Sequence, residues 1–173
     1  MLSERIGFVG AGQMALALAR GWVAASLVSG KQITAIDPAA AARERFAADV
    51  AGATVSDVDV AAATLGACVV VILAVKPQQM GAALSSSGFV DDKKLVISIA
   101  AGVSLTALES SLASGRLVRV MPNTPAPVGQ GASAYALGRA ATAADAELVE
   151  RLLGAAGKAV HVDEKLLDAV TGL

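Results

Sequence analysis

Apolar residues recur along the chain in short runs separated by longer stretches with helical spacing, and the alternation predicts strands and helices in turn. Residues 5–9 read as a strand, and residues 13–25 as a helix carrying Met14, Leu18 and Trp22 along one face. Strands are predicted next at 32–36 and 53–55, with helices at 38–48 and 57–65. The segment CVVVILAV, residues 68–75, is apolar at every position. Both of its faces must therefore be covered, which marks a central strand of a parallel sheet. A helix at 78–85, a strand at 94–99, a helix at 104–112 with Ser104 as N-cap and a strand at 117–121 follow. After Met121 the pattern changes. PNTPAPVGQGAS is rich in Pro and Gly and reads as a loop, then come a strand at 132–137, a helix at 142–156 and a last strand at 159–162. Parallel strands joined through helices need right-handed crossovers, so the expected fold is α/β: an open, doubly wound, mostly parallel sheet with helices on both faces.

Composition narrows the function classes. Hydrophobic residues make up 55% of the 173, but much of this is Ala, and the longest apolar run, residues 65–75, is far shorter than a membrane span of roughly 20 residues. The start MLSERIGFVG has no basic segment ahead of a signal-type apolar core, so a cytoplasmic protein is expected. One cysteine, Cys68, and one histidine, His161, cannot build an internal disulfide, a thiolate cluster or a His-rich metal site. Cys68 is expected in the core and His161 in a structural role with a local hydrogen-bond partner. With 14 Lys+Arg against 15 Asp+Glu, no basic block and few aromatics, nothing points to nucleic acid. A small-molecule ligand is favoured.

The strongest motif is IGFVGAGQMA, residues 6–15, in which Gly10, Gly12 and Ala15 have the G-x-G-x-x-(G/A) spacing between a strand and a helix. Gly10 permits the tight turn, Gly12 lets a pyrophosphate approach the backbone, and Ala15 allows close helix-on-strand packing while the helix N-terminus faces the negative charge. This makes the sheet Rossmann-type. Asp37, at the end of the second strand, can accept both ribose hydroxyls of an adenosine, which favours NAD; Arg43 and Arg45 beyond it could instead turn toward a 2′-phosphate. Asp37 can also serve as an N-cap ahead of Pro38. ILAVKPQQM delivers Lys76 to the carboxyl edge of the sheet, with Pro77 keeping Lys76 extended, although an ordinary exposed lysine fits equally. Ala100, Ala101 and Gly102 would let a flat ring approach, and Asn123 and Thr124 sit between two prolines at the end of another strand. Small or polar residues thus converge on one edge.

In order, GFVGAGQMA, LAVKPQQM, ISIAAGVSL, VRVMPNTPAPVGQGAS and DAVTGL resemble the pyrroline-5-carboxylate reductase family over essentially the whole chain. The resemblance implies an NAD(P)-binding domain over residues 1–163. It also implies that residues 164–173 begin a helix leading into a helical domain beyond Leu173, which supplies substrate grip, a catalytic threonine and dimerisation. The implied reaction is reduction of the imine 1-pyrroline-5-carboxylate to L-proline in proline biosynthesis, with NADPH as the family's usual cofactor and NADH as the alternative. Implied contacts are Gly12, Gln13 and Met14 to the pyrophosphate, Asp37, Ala74, Val75, Lys76 and Pro77 to the nucleotide, and Ala100, Ala101, Gly102 and Asn123 near the nicotinamide. No catalytic residue is assigned within these 173 residues, and a homodimer or larger assembly is implied for the full-length protein. Leu166, Leu167 and Val170 are expected to be partly uncovered. Two other readings stand beside it: a non-catalytic dinucleotide-binding module, and the cofactor domain of a related hydroxyacid dehydrogenase.

Overall fold

The computed structural model describes residues 1–85, 90–112, 115–123, 131–155 and 157–170. Its strands are β1 (Ile6–Val9), β2 (Ile33–Ile36), β3 (Thr54–Ser56), β4 (Val70–Leu73), β5 (Leu95–Ser98), β6 (Leu117–Asn123), β7 (Gly131–Leu137) and β8 (Gly157–His161). They form one 8-stranded sheet in the order β3-β2-β1-β4-β5-β6-β7-β8. Neighbours are parallel throughout except β6 and β7, which run antiparallel. The helices are α1 (Gln13–Ala24), α2 (Ala40–Asp49), α3 (Ala61–Leu65), α4 (Met80–Ser85), α5 (Leu105–Ser111), α6 (Ala143–Gly154) and α7 (Glu164–Val170).

The all-apolar run becomes β4, between β1 and β5, and its period of two sorts the protein into two layers. Val70 and Ile72 join Leu16, Trp22, Phe46 and Leu152 in the core under α1, α2 and α6. Val71 and Leu73 join Leu65, Met80, Leu108 and Leu167 under α3, α4, α5 and α7. Helices therefore cover both faces, as the sequence predicts. Trp22 settles on the sheet: its ring stacks on Phe8 at 5.4 Å between centroids and its Nε1 donates to the Leu152 carbonyl at 2.7 Å. Cys68 is buried in the opposite layer, where burial pushes its thiol pKa up.

Four expectations change. The helix placed at 38–48 starts at Ala40 with Ala39 as N-cap, so Asp37 is not the cap. Both helices placed at 57–65 and 78–85 open as single 3₁₀ turns, Val58–Val60 and Pro77–Gln79, before becoming α3 and α4. β6 runs two residues past Met121, pairing Pro122 with Ser133 and Asn123 with Ala132 of β7. Proline is tolerated there because the β5 pairing ends at Arg119, leaving β6 open on that side. Finally, Leu167 is fully buried, whereas Leu166 is exposed; the side chain of Val170 lies outside the described residues. Arg119, buried in β6, explains the docking of α7, because its guanidinium ion-pairs with both Glu164 and Asp168 one helical turn apart. Glu164 in turn accepts the Leu105 amide at 2.7 Å, tying α7 to the start of α5.

Helix ends follow local chemistry. Ser104 caps α5 by accepting the Ala107 amide at 3.2 Å, as its position predicts. Thr142 and Asp145 form a reciprocal capping box at the start of α6. Arg116 completes it, with Nη2 2.5 Å from Asp145 Oδ1. Burial pushes the Asp145 carboxyl upward, but the hydrogen bonds from Arg116 and Thr142 outweigh it and hold its pKa below the usual value.

Candidate functional site

The strand order reverses at β1. From there the chain fills β2 and β3 on one side, then crosses back to β4 on the other. In open α/β sheets the crevice beyond the carboxyl ends of the strands at such a switch point is where ligands bind. The loops at that point are the ones singled out from the sequence: residues 10–12 after β1, Asp37 after β2 and residues 74–77 after β4.

The glycine loop is built by main-chain bonds. Gly10 N donates to the Ile36 carbonyl at 2.8 Å, and Ala74 N to the Val9 carbonyl at 2.8 Å. Gly10 has φ +98°, and a Cβ there would lie 2.8 Å from the Ala74 carbonyl oxygen, so both conformation and space demand glycine. Gly12 differs. Its φ is an ordinary −71°, and a Cβ would meet nothing within 4 Å. The volume a side chain would fill is open, directly over the N-terminus of α1, whose N-cap Gly12 offers no side-chain hydrogen bond and whose first turn holds no acidic residue. That combination fits a negatively charged group resting on helix amides. Ala15 is fully buried against the sheet, in the packing role expected of it, while Gln13 is exposed and Met14 half-buried at the rim.

Asp37 is integral to the loop. One carboxylate oxygen accepts the Ala11 amide at 2.8 Å and the other the Ala39 amide at 2.8 Å. A carboxylate has about four acceptor positions, so each oxygen retains capacity for a further donor such as a ribose hydroxyl. Behind it, Arg43 Nη1 donates to the Asp37 carbonyl at 2.6 Å and to Asp57 Oδ2 at 2.7 Å. The sequence offered no signal for this Arg43–Asp57 pairing, because the two residues share no element.

The remaining residues arrive on the same edge. Ala74 and Val75 are half-buried, and Lys76 and Pro77 exposed, with Lys76 extended at φ −64° and ψ 148° ahead of the Pro77 turn. After β5, Ser98 is buried and its hydroxyl accepts the Ala100 amide at 3.4 Å, shaping a turn in which Gly102 takes φ +72°. Ala101 and Gly102 are exposed. Ala100 is buried in the core, so its route to a ligand is through its main chain. Asn123 closes β6; its side chain, and Thr124 with the rest of residues 124–130, lie outside the described residues.

His161 is not a core histidine. It is exposed on β8 and stacks on Tyr135 at 5.1 Å between centroids. Tyr135 is hydrogen-bonded to Glu150 at 2.6 Å, and burial, reinforced by that carboxylate, pushes its pKa up to about 12. A cleft of about 590 Å³ opens beside His161, between α5 and the ends of β7 and β8, away from the glycine loop. Among its charged residues Glu109 pairs with Arg139 at 2.8 Å, Glu164 with Arg119 and Asp163 with Lys165.

A family described as NADP oxidoreductase, coenzyme F420-dependent, matches residues 5–102. Pyrroline-5-carboxylate reductase of Methanosarcina acetivorans is 41% identical over 100% of this chain and 64% of its own length. The reductase of Arabidopsis thaliana is 39% identical over 99% of this chain and 61% of its own. Among solved structures, Plasmodium falciparum pyrroline carboxylate reductase with NADP bound superposes with a TM-score of 0.83 at 28% identity, covering 99% of this chain and 62% of that one. The chain thus spans a little under two thirds of the relatives it matches. Among the described residues, no helix is long and apolar enough to cross a membrane.

Proposed function

Because this chain belongs to the family described as NADP oxidoreductase, coenzyme F420-dependent, we propose that it is the NAD(P)H-binding part of an enzyme that reduces 1-pyrroline-5-carboxylate to L-proline. The observation that carries the nucleotide assignment is the open volume at Gly12 over an uncapped helix N-terminus, with the Asp37 carboxylate bonded into the same loop. The substrate assignment rests on the pyrroline-5-carboxylate reductases, to which the chain is similar over its whole length.

The residues of this chain act by placement. The N-terminus of α1 and the main chain at Gly12, Gln13 and Met14 receive a pyrophosphate, Asp37 accepts a ribose, and residues 74–77 flank the nucleotide. Ala101 and Gly102, with Asn123 at the end of β6, leave room for a flat ring at the far side of the crevice. The bound dihydronicotinamide supplies the hydride for the C=N bond. Geometry of this kind is what such a reaction asks of the protein, since fixing two reactants at reacting distance accounts for a large share of the barrier. Residues 1–163 are proposed as the nucleotide domain and the substrate-binding groups as lying in the part of the relatives that these residues do not cover. The full-length enzyme is proposed to work as a homodimer or larger assembly in the cytoplasm, on a small-molecule substrate.

Titration of the purified 173 residues with NADPH and NADH tests the nucleotide part. Saturable binding of at least one is expected. A folded chain that binds neither at millimolar concentration would overturn it. Turnover tests the reaction: a protein that includes the rest of the reductase length should form proline from pyrroline-5-carboxylate, and one that oxidises 3-hydroxy acids instead would reject the substrate.

A further inference from the structure

We infer that the end of β2 selects the nucleotide lacking a 2′-phosphate, so that this chain takes NADH in preference to NADPH; the inference rests on the dinucleotide reading above and sharpens it. Asp37 is not a free surface carboxylate that could swing aside. Its two oxygens hold the Ala11 and Ala39 amides, each at 2.8 Å, which fixes the charge at the mouth of the adenosine side of the crevice.

Arg43, in the first turn of α2, is held from behind. Nη1 donates to the main-chain carbonyls of Asp37 at 2.6 Å and Pro38 at 3.0 Å, and to Asp57 Oδ2 at 2.7 Å. Its side chain is only 22% exposed. The Asp57 carboxylate at the end of β3 thus takes the one guanidinium, the Asp37 carboxylate at the end of β2 is bonded to amides alone, and the local balance is negative. Arg45 is exposed on α2, but two residues on it lies roughly 200° around the helix from Arg43 and leaves the crevice side. A ribose with both hydroxyls free meets acceptors with spare capacity. A 2′-phosphate would meet a pinned like charge, with the Arg43 guanidinium tied through Nη1 to Asp57 and two carbonyls.

Binding of NADH and NADPH to the 173-residue chain, measured side by side at one ionic strength, decides the matter. NADH is expected to bind at least about tenfold more tightly, since the fixed Asp37 charge opposes a 2′-phosphate and not a free ribose. Asp37→Asn keeps the shape and removes the charge, and should bring the two affinities to within about threefold. Asp57→Asn releases Arg43 and should raise NADPH affinity severalfold while leaving NADH nearly unchanged. If Asp37→Asn fails to fold, the wild-type ratio and Asp57→Asn still decide. NADPH binding as tightly as NADH, or more tightly, would overturn the inference and leave the dinucleotide reading standing. Failure of both nucleotides to bind would remove the two together.

Discussion

Two carboxylates on opposite rims of the sheet do the same local job and end in different states. Asp145 closes the start of α6, accepting from the Thr142 amide and hydroxyl and from Arg116, and is 1% exposed. Asp37 closes the glycine loop, accepting from Ala11 and Ala39, but no cation among the described residues sits on its oxygens and it stays half-exposed. The difference separates a carboxylate consumed by the fold from one that the fold positions and leaves with spare acceptors. The same contrast holds for the two glycines of the loop. Gly10 is required by its surroundings, whereas a Cβ at Gly12 would meet nothing within 4 Å.

The contrast can be broken most severely at Asp145. Asp145→Ala removes a cap and a largely buried ion pair and should cost about 2–3 kcal/mol in urea unfolding, discounted because Arg116 is partly exposed. Nucleotide affinity should stay within about twofold in that variant, as the site lies on the other rim. The pH dependence has a definite sign. The folded pKa of Asp145 is lowered, so its contribution is full above the unfolded value near about 4 and fades as pH falls through the lower folded value. Acid titration of stability should therefore be steeper in the wild type than in Asp145→Ala, and equal slopes would show that the pair contributes nothing.

A smaller loss is expected at Gly10. Gly10→Ala forces a Cβ to 2.8 Å from the Ala74 carbonyl at φ +98° and should destabilise by about 1–3 kcal/mol, read as a fall in Tm. The smallest effect on the fold belongs to Gly12→Ala, within about 1 kcal/mol, since the position has space and an ordinary φ. Yet nucleotide affinity should drop at least about tenfold, one well-made contact's worth. A Gly12→Ala protein that binds as well as wild type would mean that the open volume is not where the ligand sits.

Much of this edge is legible in the amino-acid order, because period and backbone chemistry are local. The run at residues 68–75 announces a strand covered on both faces, and Gly10, Gly12 and Ala15 announce a turn and a close helix. What the order hides depends on partners distant in sequence. Pro122 reads as a breaker, and only the β7 pairing together with the open β5 side lets β6 continue through it. Leu167 reads as an uncovered apolar position until Arg119 is seen to hold Glu164 and Asp168. That trio did leave a trace: an arginine inside an apolar strand, and two carboxylates at i and i+4 on one later helix. The place of Asp37 at the end of β2 is foreseeable; its grip on Ala11 is not, because a loop must fold back on the strand end to make it.

The central claim, that the β1–β2–β4 rim receives a nicotinamide dinucleotide, is tested most directly by following backbone amide resonances while NADH is added to the chain. The account expects the largest shifts at Ala11, Gly12, Gln13 and Ala39, with smaller ones at Lys76 and Gly102 and none at Asp145. Shifts clustered instead around Glu109, Arg139 and His161, with the glycine loop silent, would contradict it.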